Sequence, residues 1–118
     1  MTETFHRALA DADLGDNKAV GVILNGWPVA VCRADGAIFA VVDKCTHANA
    51  LLSDGRVRRG AIMCPLHGAR FDLAGGACIG GAYRPLKTFA HRLADGWIEV
   101  AVPDEKPGHE HEPVRRPG

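Results

Sequence analysis

The chain has 118 residues, 47% of them hydrophobic, with 14 basic and 14 acidic side chains and a formal net charge of zero. That length supports one core and one domain, and the balanced charge leaves no basic surplus of the kind that nucleic acid or an anionic membrane attracts. No apolar stretch nears the roughly 20 residues that span a bilayer, and Met1-Thr2-Glu3-Thr4-Phe5 lacks the basic start and apolar run of a secretory signal. A cytoplasmic protein is therefore expected, a monomer with neither nucleic acid nor membrane as partner. In the cytoplasm thiols stay reduced, so its four cysteines read first as metal-binding or catalytic.

Strand signals dominate in chain order. A short helical turn fits Ala10 to Leu14. Val20 to Leu24, Pro28 to Cys32 and Ala37 to Val42 are short apolar, β-branched runs. Asn25-Gly26 and Asp35-Gly36 separate them, and both pairs suit type I′ hairpin turns, whose two central residues need positive φ. A second helical turn fits Ala48 to Leu52. From Asp43 to Pro85 the chain is Gly-rich, with brief apolar pieces at Ala61 to Met63 and Arg70 to Leu73, and reads as a lobe inserted into a β scaffold. Leu86 to Leu93 and Trp97 to Val102 flank Asp95-Gly96 and form another hairpin. The expected class is all-β, a sandwich or barrel over residues 1–103 carrying a small lobe at about 43–85. The polar segment 104–118, with three prolines, reads as a loose tail.

Two motifs sit in the lobe: Cys45-Thr46-His47 and Cys64-Pro65-Leu66-His67, with sixteen residues between His47 and Cys64. Two thiolates and two imidazoles form a four-ligand set. Among iron–sulfur centres this set points to a Rieske [2Fe–2S] cluster, in which two His replace two Cys on one iron. Neutral imidazoles make such a cluster less negative and easier to reduce than an all-thiolate one. Each Cys–His pair on one tight loop offers a ligand to each iron, and two facing loops close the site. Gly55 and Gly68 relieve crowding where the backbone turns, Pro65 stiffens the second loop, and turns at Gly75-Gly76 and Gly80-Gly81 carry Ala82 to Pro85 toward the site.

Other readings of these residues stay open. Structural zinc uses the same ligand types, although it favours paired Cys followed by paired His, whereas each half here mixes the two. A Cys–His nucleophile has no use for the duplication. Cys32, in an apolar run, reads as a small buried hydrophobe, and Cys78 is not recruited by the spacing. His109 and His111 alternate with Glu110 and Glu112 in the tail, where a solvated face is the simpler reading than a metal site. His6 and His91 are assigned no function.

On Cys45-Thr46-His47, Leu52-Ser53-Asp54-Gly55, Cys64-Pro65-Leu66-His67-Gly68-Ala69-Arg70-Phe71-Asp72 and Pro85-Leu86-Lys87, the chain resembles the small Rieske-type ferredoxins of bacterial multicomponent aromatic-ring dioxygenases over about its first hundred residues. The resemblance implies the Rieske-type β-sandwich with its cluster lobe. It implies that Cys45 and Cys64 bind the buried iron, and that His47 and His67 bind the outer one. It also implies a one-electron carrier, not itself an enzyme, between a flavin-containing, NAD(P)H-dependent reductase and a terminal non-haem iron oxygenase. A small subunit of assimilatory nitrite reductase is the alternative; some of those lack cluster ligands, and this chain keeps all four. The oxygenase itself is not expected of 118 residues, since its 2-His-1-carboxylate iron needs a further domain. A zinc-stapled interaction module is the third reading.

Two departures refine the resemblance. High-potential respiratory Rieske proteins carry a disulfide at the positions of Ala50 and Leu66, and Ser and Tyr hydroxyls at those of Ala69 and Phe71. Fewer hydrogen bonds to sulfur lower the potential, so a value near the low end of the Rieske range, roughly −150 mV, is expected. The covering loop reads Gly80-Gly81-Ala82 where the family often has Gly-Pro-Ala, which predicts a more mobile loop. Lys44, Arg56, Arg58, Arg59, Arg70 and Arg84 outnumber Asp43, Asp54 and Asp72 around the motifs. This basic rim reads either as a solvated surface or as a means of steering onto acidic partners.

Overall fold

The computed structural model describes residues 2–46, 49–66 and 68–114. Among the described residues, nine strands form three antiparallel sheets of three. The first sheet has the order β1 (Glu3–Ala10), β9 (Trp97–Pro103), β8 (His91–Ala94). The second is the meander β2 (Lys18–Leu24), β3 (Trp27–Ala34), β4 (Ala37–Val42), and the third is the meander β5 (Arg56–Arg58), β6 (Ala61–Met63), β7 (Arg70–Asp72).

The three turns expected to be type I′ have the backbone that class demands. Asn25-Gly26, Asp35-Gly36 and Asp95-Gly96 are all left-handed, with φ of 48° and 82°, 50° and 81°, and 52° and 79°. Asn and Asp tolerate this region better than other non-glycine residues. Arg59-Gly60, at φ 53° and 73°, makes the same kind of turn between β5 and β6. Sequence reasoning did not flag it, because Arg has no turn preference.

β3 is buried almost throughout, because it has a neighbour on each edge and is covered on both faces. Its apolar run Trp27-Pro28-Val29-Ala30-Val31-Cys32 is therefore unbroken rather than alternating. β5 and the 3-10 turn Leu52–Asp54 pack against β2 and β3, which seats the small third sheet on the scaffold. The core runs continuously from Ile98, Val100 and Val102 through Val29, Val31 and Val41 to Leu52, Ile62 and Phe71.

Two differences from the sequence reading concern the first sheet. β1 was not foreseen. Among the described residues it pairs with β9 alone, half of its eight residues are exposed and it lacks a β-branched run, so its stability comes from its partner and not from its own pattern. The run Leu86 to Leu93 is not one strand. Residues 86–90 follow β4, with Val42 N–H donating to Lys87 O at 2.9 Å and Phe89 N–H to Ala40 O at 2.9 Å, before the chain enters β8. This crossing segment links the first two sheets. The turn expected at Ala10 to Leu14 is a 3-10 turn at Asp11–Asp13. That expected at Ala48 to Leu52 lies instead at Leu52–Asp54, Ala48 being outside the described residues.

The segment after β9 was expected to be loose, yet residues 104–114 lie along the scaffold. Trp27 Nε1 donates to Glu105 O at 3.0 Å, Asn25 Nδ2 to Asp104 O at 3.0 Å, and Lys106 Nζ to Asn25 Oδ1 at 2.8 Å. The His111 ring lies 5.5 Å from that of Trp27. Composition alone misses this, because the partners are a few separate groups on Asn25 and on Trp27 rather than a continuous apolar surface.

Candidate metal centre

Two loops carry the motif cysteines, and each is fastened at its root. The first leaves β4 at Val42. Asp43 follows, the one charged residue buried among those described, at 3% exposure. Its two carboxylate oxygens accept from Ser53, Oδ1 from the backbone N–H at 2.7 Å and Oδ2 from the hydroxyl at 2.6 Å. Burial pushes the Asp43 carboxyl upward, and the Ser53 bonds oppose that shift. The pair staples the two ends of the loop together across ten residues. Gly21 on β2 makes the room, since a Cβ there would lie 2.5 Å from Asp43 Oδ2 and 2.8 Å from Ser53 Oγ.

The cysteine within each loop is held in the same way. Cys45 N–H donates to Ala50 O at 3.1 Å, and Cys64 N–H donates to Ala69 O at 2.7 Å. Both bonds run from the cysteine to the carbonyl five residues on. The second loop is tightened further by Gly68 N–H donating to Cys64 O at 3.1 Å. Both cysteines are buried, at 3% and 1%, and belong to the common core. Pro65 and Leu66 project from the second loop, Leu66 with 57% of its surface exposed. Gly55 lets the root of this loop approach the 3-10 turn, because a Cβ there would fall 1.8 Å from Met63 O.

The covering segment reaches the first loop as expected, with Thr46 Oγ1 donating to Arg84 O at 2.9 Å. Beside Cys45 lies an open cleft of about 580 Å³, lined by Lys44, Thr46, Arg84, Lys87 and His111 among others. The tail forms one wall: Lys44 Nζ donates to His109 O at 3.3 Å, and Arg84 stands 3.9 Å from Glu110.

Of the four predicted ligands, Cys45 and Cys64 are placed, while His47 and His67 lie outside the described residues. Among the described residues no three Cys, His, Asp or Glu gather as a metal site, and the His-Glu alternation of the tail makes none. The remaining cysteines behave as expected. Cys32 is buried in β3, its thiol pushed up to about 12 by burial and, secondarily, by Asp43, so it stays protonated. Cys78 is half-buried beyond β7, 3.7 Å from Ile79 O. The four cysteines form no disulfide. Phe71, where a hydroxyl would raise the potential, is fully buried. Sequence reasoning missed the Asp43–Ser53 staple and the Thr46–Arg84 tie. The first had a visible signal, an acid at the end of the Ala37 to Val42 apolar run, whereas the second pairs residues 38 positions apart.

Two buried thiols on loops of matching closure, with a histidine two or three residues beyond each, suit a two-Cys, two-His iron–sulfur centre. The Rieske [2Fe-2S] domain model matches residues 4–90. The chain is 37% identical over 79 residues, 67% of its length and 76% of the relative's, to the ferredoxin component of the naphthalene 1,2-dioxygenase/salicylate 5-hydroxylase systems of Ralstonia sp. It matches a chain in a complex of reduced oxygenase and oxidised ferredoxin in carbazole 1,9a-dioxygenase, with a TM-score of 0.79 and 29% identity over 92% of this chain and 100% of that one. A putative NADH-dependent nitrite reductase small subunit from Mycobacterium tuberculosis is also similar, with a TM-score of 0.78 and 27% identity over 86% of this chain and 97% of that one. The chain belongs to the Rieske [2Fe–2S] domain family, whose members include the ferredoxin components of aromatic-ring dioxygenase systems.

Proposed function

We propose that this protein is the ferredoxin component of a multicomponent oxygenase acting on aromatic compounds, a one-electron carrier and not an enzyme. Cys45 and Cys64 would hold one iron of a Rieske [2Fe–2S] cluster, and His47 and His67 the other. The domain comprises residues 1–103 with its cluster lobe at 43–85, and residues 104–118 follow as a tail. The cluster, when bound, supplies reversible one-electron chemistry. The chain does the rest. The matching N–H bonds from Cys45 to Ala50 and from Cys64 to Ala69 hold both thiol-bearing loops in shape. Burial of both cysteines keeps water from the inner side. The single observation that carries the reading is this pair of like-closed loops on buried cysteines, joined to the full four-residue motif.

Electrons arrive from a flavin-containing, NAD(P)H-dependent reductase and leave to a terminal oxygenase. The cytoplasm and a monomeric state belong to the same proposal; among the described residues no helix is long and apolar enough to cross a membrane. The test is a redox titration followed by electron paramagnetic resonance, with the purified protein then offered to a reductase and a terminal oxygenase. The expected result is a Rieske signal, a midpoint near −150 mV and transfer in both directions. A clearly positive midpoint would contradict the low-potential assignment. A colourless zinc protein would overturn the carrier.

The likeness to the nitrite reductase small subunit favours a second reading, that of a subunit. A subunit travels with its catalytic chain through purification, whereas a carrier runs alone.

A further inference from the structure

The third sheet has one face in the core and one in solvent. Val57, Ile62 and Phe71 point inward and are buried. By strand alternation the outward positions are Arg56 and Arg58 on β5, Ala61 and Met63 on β6, and Arg70 and Asp72 on β7. Register places Arg56 opposite Met63, and Met63 opposite Arg70. The row extends one residue further, because Ile79 N–H donates to Arg70 O at 2.8 Å beside the Phe71–Cys78 bridge. Together with Arg58 and Arg59, these four residues line one shallow depression of about 210 Å³.

Four guanidinium groups thus surround a small apolar centre of Met63 and Ile79, the latter 45% exposed. None of the four makes an ion pair with a described residue, although Arg7, Arg33, Arg84 and Arg92 all do. The one carboxylate at an outward position, Asp72, accepts from Gly75 N–H at 2.9 Å. In a chain of zero net charge, this gathering of like charge is a local choice. Like charges in close array repel until an anionic surface meets them. Guanidinium forks match carboxylates with two bonds each, and Arg and Met are enriched at protein interfaces.

The strands of this face are also the stems of the second motif loop: β6 runs into Cys64, and β7 begins after Ala69. A protein resting on the row therefore lies against that loop and its exposed Leu66. We propose that the face made by Arg56, Arg58, Arg59, Arg70, Met63 and Ile79 docks an acidic surface of the terminal oxygenase and orients the Cys64–His67 loop toward it. The inference rests on the carrier reading above.

The test uses the cluster-loaded protein and a terminal oxygenase chosen because the wild type reduces it; if no such oxygenase is reduced, the carrier reading itself falls. Stopped-flow rates are compared for wild type, Arg56→Glu/Arg70→Glu, the milder Arg56→Gln/Arg70→Gln, and Arg7→Glu/Lys106→Glu, which changes net charge equally elsewhere. At low salt the Glu pair should slow delivery by about tenfold or more and the Gln pair by about threefold, with a flatter salt dependence and an unchanged visible spectrum and midpoint. The control pair should change the rate less than about twofold. Equal slowing by the control, an unchanged rate in both arginine variants, or slowing confined to the reductase step would each overturn the proposal.

Discussion

The scaffold and the cluster lobe are both three-stranded antiparallel work, yet they are built on different terms. The meander β2–β3–β4 has strands of six to eight residues and a central strand buried at every position but Arg33. The lobe has three strands of three residues each and, within them, only Val57, Ile62 and Phe71 facing inward. Strands this short bury too little apolar surface to hold themselves. The lobe relies on its seat against β2 and β3, on the Asp43–Ser53 staple, and on the cross-link that a cluster bound by Cys45 and Cys64 would add. A scaffold set by apolar patterning can thus carry a site set by specific polar ties and ligands.

The comparison breaks most visibly if a proposed ligand is removed. Cys64→Ser or Cys45→Ser should abolish the Rieske absorption and electron transfer. Hydrogen exchange should then show residues 43–85 opening while β2–β4 and β9 stay protected. Equal loss of protection in both regions would mean that the two fold as one unit. Truncation in the scaffold should do the reverse. Ile98→Ala removes a fully buried side chain and should cost about 3 kcal/mol in denaturant unfolding, with the visible spectrum and midpoint unchanged.

Gly55→Ala tests the joint between the regions. Its Cβ would meet Met63 O at 1.8 Å, so backbone must shift. A loss of about 2 kcal/mol is expected, together with faster cluster release to a chelator, because Met63 directly precedes Cys64. A stable protein that keeps its cluster as firmly as wild type would show that the joint yields freely.

The smallest effect is expected in the tail. Burial holds His111 below its ordinary imidazole value of 6.5; Lys87, Lys44 and Arg84 push the same way, and Glu110 opposes them. A docked His111 therefore resists protonation, while a released one titrates normally. The docking contribution is fully present above the ordinary value and is lost as pH falls through the window below it. Protection of the amides of residues 105–112, taken relative to the intrinsic exchange rate at each pH, should fall from pH 8 to pH 5.5, and His111→Phe should remove that fall. An unchanged pH response in the variant would assign the effect to another group.

Much of this was legible in the chain. Asn25-Gly26, Asp35-Gly36 and Asp95-Gly96 named three hairpins, because few residues accept positive φ at both central positions. Cys32 read correctly as a packing residue. β1 escaped notice because an edge strand draws its stability from a partner some ninety residues away, Glu3 pairing with Pro103. The β5–β6 hairpin escaped because Arg59 adopts a turn conformation that its side chain does not advertise.

By itself the sequence determined the class of fold and pointed to a two-Cys, two-His ligand set, since thiolate and imidazole spacing and strand periodicity are local properties. Only the tertiary structure decided which polar groups brace the first loop, that His109, Glu110 and His111 wall one side of the cleft beside Cys45, and that four arginines scattered from 56 to 70 share one face. These depend on residues far apart in the chain meeting across a sheet or around a loop. That meeting is fixed by register and packing rather than by any one segment's preference.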